Sequence, residues 1–311
     1  MKRTLISFDW AVKRILRQKA NFGILEGFLS ELIKRDIVIK SILESESNKE
    51  HEDDKYNQVD LLCEDVNGDL IIIEVQFYEE VDYFQRVLFG TSKVITEHMS
   101  AGSPYEKVKK VYSVNILYFD LGSGRDYVYR GRMNFTGLHC EDKLELNKVQ
   151  QDKFSGQYPS DIFPEIFLIK VNNFDDIAKT PLDEWIYFLK NTALPKKYSA
   201  KGLNQLKEKL KYDKMDTATK QKYDDYLTSV RVTKSMIETA KLRGRIEGRE
   251  EGREEGREEG REEGREVGLD EKNTKIILKM YDLGQEVSFI AEVVEMKEDK
   301  VIQILKESGR L

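Results

Sequence analysis

The 311-residue chain is poor in the residues that build cross-links or soft-metal centres, with two cysteines, Cys63 and Cys140, and three histidines, His51, His98 and His139. That is too few for a disulfide framework. It is also too scattered for a zinc module, because His139-Cys140 has no second Cys/His pair to complete a tetrahedral set. Any metal is therefore expected on oxygen ligands. Long apolar runs are missing too: none approaches the roughly 20 residues that a membrane span needs. The opening MKRTLISFDWAVKRIL alternates charge with apolar residues where a signal peptide would show an apolar stretch. A soluble, cytoplasmic protein with no membrane partner is expected. Excess positive charge is lacking as well, since 51 Lys and Arg face 57 Asp and Glu, a net charge of −6. The balance argues against a surface positive all over, as many sequence-independent DNA binders have, but leaves local basic surfaces open.

Apolar residues make up 40% of the chain, enough for an ordinary globular core. Residues 9–42 read as two helices, the first with Phe8, Val12, Ile15 and Leu16 on one face, the second with Leu25, Phe28, Leu29 and Leu32. Residues 43–57 (LESESNKEHEDDKYN) are polar, acidic and aperiodic, as in an exposed connection. VDLLCED and IIIEVQFYE then flank Asn67-Gly68, a strong signal for two antiparallel strands joined by a tight turn. A helical pattern over 83–99 and an apolar strand over 111–119 follow, with Tyr112, Tyr118 and Phe119 read as core. LGSGRDY is a turn, since it has neither a Walker pattern nor a strand-GxGxxG-helix setting. DYVYRGRMNF and EIFLIKVNNF read as further strands, and LDEWIYFLKN opens a helical region. This order of helices and strands implies an α/β or α+β sandwich.

The remainder is helical in pattern. Residues 203–239 form a charged amphipathic appendage, and residues 243–268 are a GREE repeat with seven glycines spaced four apart, Gly244 to Gly268. Each glycine costs a helix about 1 kcal/mol relative to alanine. Each Glu/Arg pair at i,i+3 or i,i+4 returns only a few tenths. A marginal helix or spacer is one outcome. A glycine stripe that lets helices approach closely, and so a homo-oligomer through the C-terminal region, is the other. Residues 270–311 read as three short helices with a turn at Gly284, which fits a small oligomerisation bundle or a helix-turn-helix layout. The expected organisation is a domain over 1–195, an appendage over 196–242, the repeat over 243–269 and a small helical domain over 270–311.

One place in the chain meets the needs of metal-assisted phosphodiester hydrolysis: two or three close oxygen ligands, an open coordination position and a group that orients water. Asp60 opens the first strand of the hairpin, and Glu74 lies near the end of the second, followed by Gln76 on the same face. Counting from the Asn67-Gly68 turn brings residue 60 opposite roughly 75, within a residue of Glu74. A carboxylate in a run as apolar as IIIEVQF is costly unless it binds a metal or a partner. Spacing alone also allows a plain structural role, with Asp60 capping a strand and Glu74 paired to a basic neighbour.

The segments FDWAVKRIL, KYNQVDLLCEDVNGDLIIIEVQF, DYFQRVLFGTSKVITEHM, KKVYSVNILYFDLG, DEWIYFLKN and the GREE repeat, in this order, resemble the bacterial recombination-promoting nuclease/putative transposase family of the PD-(D/E)XK superfamily. The resemblance covers most of the chain. It implies an α/β restriction-endonuclease-like core, a central mixed sheet flanked by helices, here with a helical C-terminal extension. It further implies a Mg²⁺-dependent DNA endonuclease, Mn²⁺ being a possible substitute, that acts in recombination or mobile-element processes. The motif aspartate falls on Asp60, the (D/E) position on Glu74, and the usual lysine position on Gln76, which can neither carry a positive charge nor titrate as a base. Lys93 or Arg86 on the following helix is a candidate for a migrated cation. Asp9 matches an acidic position in the family's first helix and is a candidate third metal ligand, an N-cap being its structural alternative. Gln85, Arg86 and Lys93 are candidate DNA contacts, or else part of a solvated helix face. The rival to an active enzyme is a nuclease-fold protein weakened by Gln76 that binds DNA or serves assembly.

Overall fold

The structure, a computed structural model, describes residues 5–43 and 60–311. In chain order its helices and strands are α1 (Phe8–Arg14), α2 (Phe22–Ile33), β1 (Ile39–Leu43), β2 (Leu61–Asp65), β3 (Leu70–Gln76), α3 (Tyr83–Glu97), β4 (Val111–Leu117), β5 (Val128–Arg132), α4 (Lys148–Phe154), β6 (Glu165–Lys170), α5 (Pro181–Asn191), α6 (Leu203–Lys209), α7 (Thr217–Asp282), α8 (Val287–Val293) and α9 (Glu298–Glu307). The strands form one six-stranded mixed sheet of order β1-β2-β3-β4-β6-β5. Pairing is antiparallel from β1 through β3, parallel from β3 through β4 to β6, and antiparallel again between β6 and β5. Expectation and structure differ at β1, which lies inside the region read as two helices. Ile37 and Ile39 are buried on either side of the exposed Val38, a period of two hidden beside the stronger helical pattern. Apart from Leu43, the polar connection read over 43–57 lies outside the described residues.

Side-chain alternation along β3 gives the sheet two different faces. Leu70 and Ile72 project toward α3 and pack with Leu62, Val111 and Val94, so Glu74 and Gln76 continue on that same side. Ile71, Ile73 and Val75 project from the other face and are buried as well. Helices α1, α2 and α5 pack together through a run of edge-on and tilted rings, Phe8 to Phe28 at 5.6 Å, Phe8 to Phe188 at 6.4 Å and Phe28 to Trp185 at 5.5 Å.

The hairpin connection fixes how β2 and β3 face each other. Gly68 donates its N–H to the Asp65 carbonyl, and Gly68 itself has φ +86°, which a residue without a Cβ adopts at no steric cost. Asn67-Gly68 therefore belongs to a loop of three residues between Asp65 and Asp69, which themselves share a backbone hydrogen bond, and not to a two-residue turn. The ladder accordingly pairs Leu61 with Ile73, one residue away from the simple count. Asp65 is fully buried at the base of this loop and accepts hydrogen bonds from the N–H groups of Asn67 and Asp69 at 2.9 Å. Arg35 closes the arrangement, donating to Asp65 at 2.7 Å and to Asp69 at 2.8 Å, with its guanidinium over the Tyr112 ring.

The chain divides into two units, Met1–Tyr223 and Asp224–Leu311. Within the second, α8 and α9 bury Ile290, Ala291, Val294, Val301 and Leu305 against Ile277 near the end of α7, after a turn in which Gly284 has φ +79°. The GREE repeat is continuous helix, and a Cβ added at any glycine from Gly244 to Gly268 would meet nothing within 4 Å. The glycine face of this helix is open.

Because Asp65 has no exposure, removing its cation leaves a buried carboxylate uncompensated. Arg35→Ala is expected to destabilise the first unit by about 3 kcal/mol, read as a lower urea midpoint at unchanged slope. A loss below about 0.5 kcal/mol, typical of a surface change, would show that the ion pair does not hold the loop.

Candidate active site

Extending the β2–β3 register by one residue beyond the Leu61–Ile73 pair puts Asp60 directly across from Glu74. Residues opposite one another in an antiparallel ladder project from the same face, so the register brings the two carboxylates together. Where the strand ladder ends, Asp60 continues it with its side chain: Oδ2 accepts the N–H of Val75 at 2.8 Å. Its other oxygen, Oδ1, lies 2.9 Å from Nζ of Lys13 on α1, and Arg17 donates to its backbone carbonyl at 2.6 Å. Only 13% of the Asp60 side chain is exposed. Asp60 is therefore immobilised from three directions.

Glu74 is in a different environment. Burial, reinforced by the Asp60 charge, pushes its carboxyl up to about 8, while the Arg86 and Lys13 cations oppose the shift. In the parallel register its neighbour on β4 is the buried Asn115. The amide of Asn115 accepts the Tyr83 hydroxyl proton at 3.0 Å and donates to Ser113 Oγ at 3.0 Å and the Phe167 carbonyl at 3.2 Å. Glu74, Tyr83, Arg86, Ser113 and Asn115 line a pocket of about 20 Å³ between the sheet and α3, large enough for about one water. Gln76, on the same face as Glu74, donates its amide to Glu80, which in turn binds Arg86 at 2.7 and 3.0 Å.

The sequence-derived candidates separate on this geometry. Asp60, Glu74 and Gln76 share one face at the end of the hairpin. Arg86 faces Glu74 but is already bound to Glu80, and Lys93 lies 3.7 Å from Glu97 one turn along α3. Gln85 is exposed. Asp9 is the second residue of α1, with Ser7 at the N-cap position. Its side chain is buried, and that burial raises its carboxyl above the usual carboxylate range. Among the described residues, no group of three or more His, Cys, Asp or Glu side chains is close enough to hold a metal ion, so Asp9 is not gathered with Asp60 and Glu74.

Lys13, Arg17, Glu80, Tyr83 and Asn115 escaped the sequence reading. Lys13 lies one helical turn after Asp9, and Glu80 four residues after Gln76, spacings too common to stand out. The donor set fits a divalent cation in one specific respect. Two facing carboxylates, one of them driven toward its protonated form by desolvation and, to a lesser degree, by the charge of the other, are relieved by a hard cation on oxygen ligands.

A family model described as PD-(D/E)XK nuclease family transposase matches residues 6–240, three quarters of the chain. The chain belongs to this family. The mixed six-stranded sheet with flanking helices agrees with that fold class, and membership makes a nuclease-type function the established frame. No curated protein and no solved structure matches the chain significantly. Among the described residues no helix is long and apolar enough to cross a membrane.

The raised Glu74 carboxyl gives stability a pH dependence. The folded state holds a proton that the unfolded chain releases near the ordinary glutamate range, so stability is fully present below about pH 4.5 and falls as pH rises toward 8. In metal-free buffer, Glu74→Gln is expected to melt above wild type at pH 8 and to lose part of the decline between pH 5 and 8. Parallel melting curves of the two proteins across that window would contradict a Glu74 that keeps its proton in the folded state.

Proposed function

We propose that this family member is a metal-dependent DNA endonuclease, with Mg²⁺ as its ion and Mn²⁺ as a substitute, acting in recombination or mobile-element processes. The observation that carries the reading is the convergence of Asp60 and Glu74 at the open end of the hairpin, beside a pocket with room for about one water. Asp60 and Glu74 would hold the ion, which when bound supplies a Lewis acid for the phosphoryl oxygen and favours ionisation of a nearby water. The chain's own groups supply the rest. Asp60 is oriented by the Val75 N–H, so it presents its other carboxylate oxygen in a fixed direction. Glu74 gives up its proton when the site takes a cation, and this links binding to higher pH. Gln76, held by Glu80, positions a water or a phosphate oxygen through its amide without accepting a full proton.

A second reading has one observation in its favour. The amide of Gln76 is already engaged with Glu80, and neither it nor any other residue of β3 supplies a cation at the lysine position of the family motif. A weakened nuclease fold that binds DNA or serves assembly would look the same. Plasmid nicking by purified protein separates the two. Wild type is expected to nick supercoiled plasmid with Mg²⁺ or Mn²⁺ and not with EDTA, and Asp60→Ala to lose at least 100-fold in rate, on the order of what a single electrostatic catalytic group contributes. Wild type inert with every metal would favour the binding protein.

We also propose that the C-terminal region assembles the chain as a homo-oligomer. Support comes from the open glycine face of α7: the repeat loses about 1 kcal/mol per glycine as an isolated helix, and close helix approach can compensate that loss. Sedimentation should find the full chain as a dimer or larger and Gly252→Leu/Gly256→Leu as a smaller species. A monomeric wild type would leave the repeat as a spacer.

A further inference from the structure

The end of α1 and the turn after it carry Lys13, Arg14, Arg17 and Lys19, four exposed cations in seven residues with no acid among them. We propose that this ledge receives the phosphate backbone of duplex DNA beside the carboxylate pair, an inference that rests on the nuclease reading above.

Three observations support it. The ledge adjoins the site by direct contact, since Lys13 binds the Asp60 carboxylate and Arg17 its backbone carbonyl. The turn is also held in shape: Asn21 donates to the Ile15 carbonyl at 2.9 Å, and the Arg14 guanidinium lies 5.5 Å from the centre of the Trp10 ring. Lastly, the cations on the opposite wall are already neutralised, Arg86 by Glu80 and Lys93 by Glu97, so α3 offers a phosphate little net attraction.

Electrostatics favours such a surface. The neutralised cluster of Asp60, Glu74 and Glu80 offers a polyanion no net attraction, and the chain carries a net charge of −6, so the pull on a phosphate backbone has to come from positive charge standing next to the site. Complementing the α1 dipole would account for Lys13 and Arg14 in its last turn, but Arg17 and Lys19 lie beyond the helix, where the dipole no longer acts. Flexible cations on a rigid turn suit phosphate contact, which positions a duplex without reading its sequence.

The test is fluorescence anisotropy of the full chain with a short labelled duplex in EDTA, so that nothing is cleaved, over a series of salt concentrations. Arg14→Gln/Lys19→Gln alters two ledge cations that do not touch Asp60, and Lys196→Gln/Lys197→Gln is the charge-matched control on an exposed loop of the same unit. Each duplex phosphate contact contributes about 0.9 to the slope of log affinity against log salt. The ledge variant is expected to flatten that slope by about 1.8 and to weaken binding alike for unrelated duplex sequences, while the control matches wild type. If wild type binds and the ledge variant keeps its slope and affinity, or the control loses as much, the ledge is overturned and the nuclease reading survives. Wild type without affinity for duplex at low salt overturns both.

Discussion

Two carboxylates facing each other across a hairpin are the constraint around which the first unit is arranged. Asp60 and Glu74 are brought together by strand register, and register has a period of two, so a shift of one residue would send Glu74 to the opposite face of β3. The three-residue loop with Gly68 in the left-handed region sets that register. Arg35 and the buried Asp65 in turn hold the loop, from a position remote from the carboxylates along the hairpin. An ion pair at the far end of the hairpin thereby determines whether the two carboxylates meet.

Much of this was legible in the sequence because it rests on local pattern. Asn67-Gly68 between two β-rich runs predicts the hairpin, counting from that turn brings Asp60 to within a residue of Glu74, and ordered motifs predict the family. What was not legible depends on contacts between segments far apart in the chain. Lys13 reaches Asp60 across 47 residues, as the pair's own numbers give, and nothing local to α1 announces that reach. Asn115 meets Glu74 only through parallel pairing of β3 with β4, whose register no turn encodes. The β1 strand is hidden for the opposite reason: as a short edge strand it carries too few residues for its alternation to outweigh the preceding helical run. Lys93 and Arg86 illustrate a third limit, since the sequence lists cations but not which of them a neighbouring acid has already bound.

The charge balance of the metal-free site follows from these same contacts. Lys13 neutralises Asp60, Arg86 neutralises Glu80, and Glu74 keeps its proton up to about 8, so the cluster carries little net charge near neutral pH despite three acids. That accounts for how three acids can be built into one end of an apolar sheet without disrupting it: each has a partner cation or a proton. The arrangement is also unequal in a useful way. Asp60 is fixed by a backbone N–H, whereas Glu74 has no such donor and is the residue whose charge state responds to what enters the pocket. A positive charge arriving between them lowers the cost of ionising Glu74 and competes with Lys13 for Asp60. Lys13, half exposed on a flexible stem, is the one member of the cluster free to swing outward when displaced, toward the basic turn that carries Arg14, Arg17 and Lys19. Under the proposed function, metal entry and the positive charge of the ledge would be coupled through that single side chain, because a cation released from Asp60 would add to the field a phosphate meets.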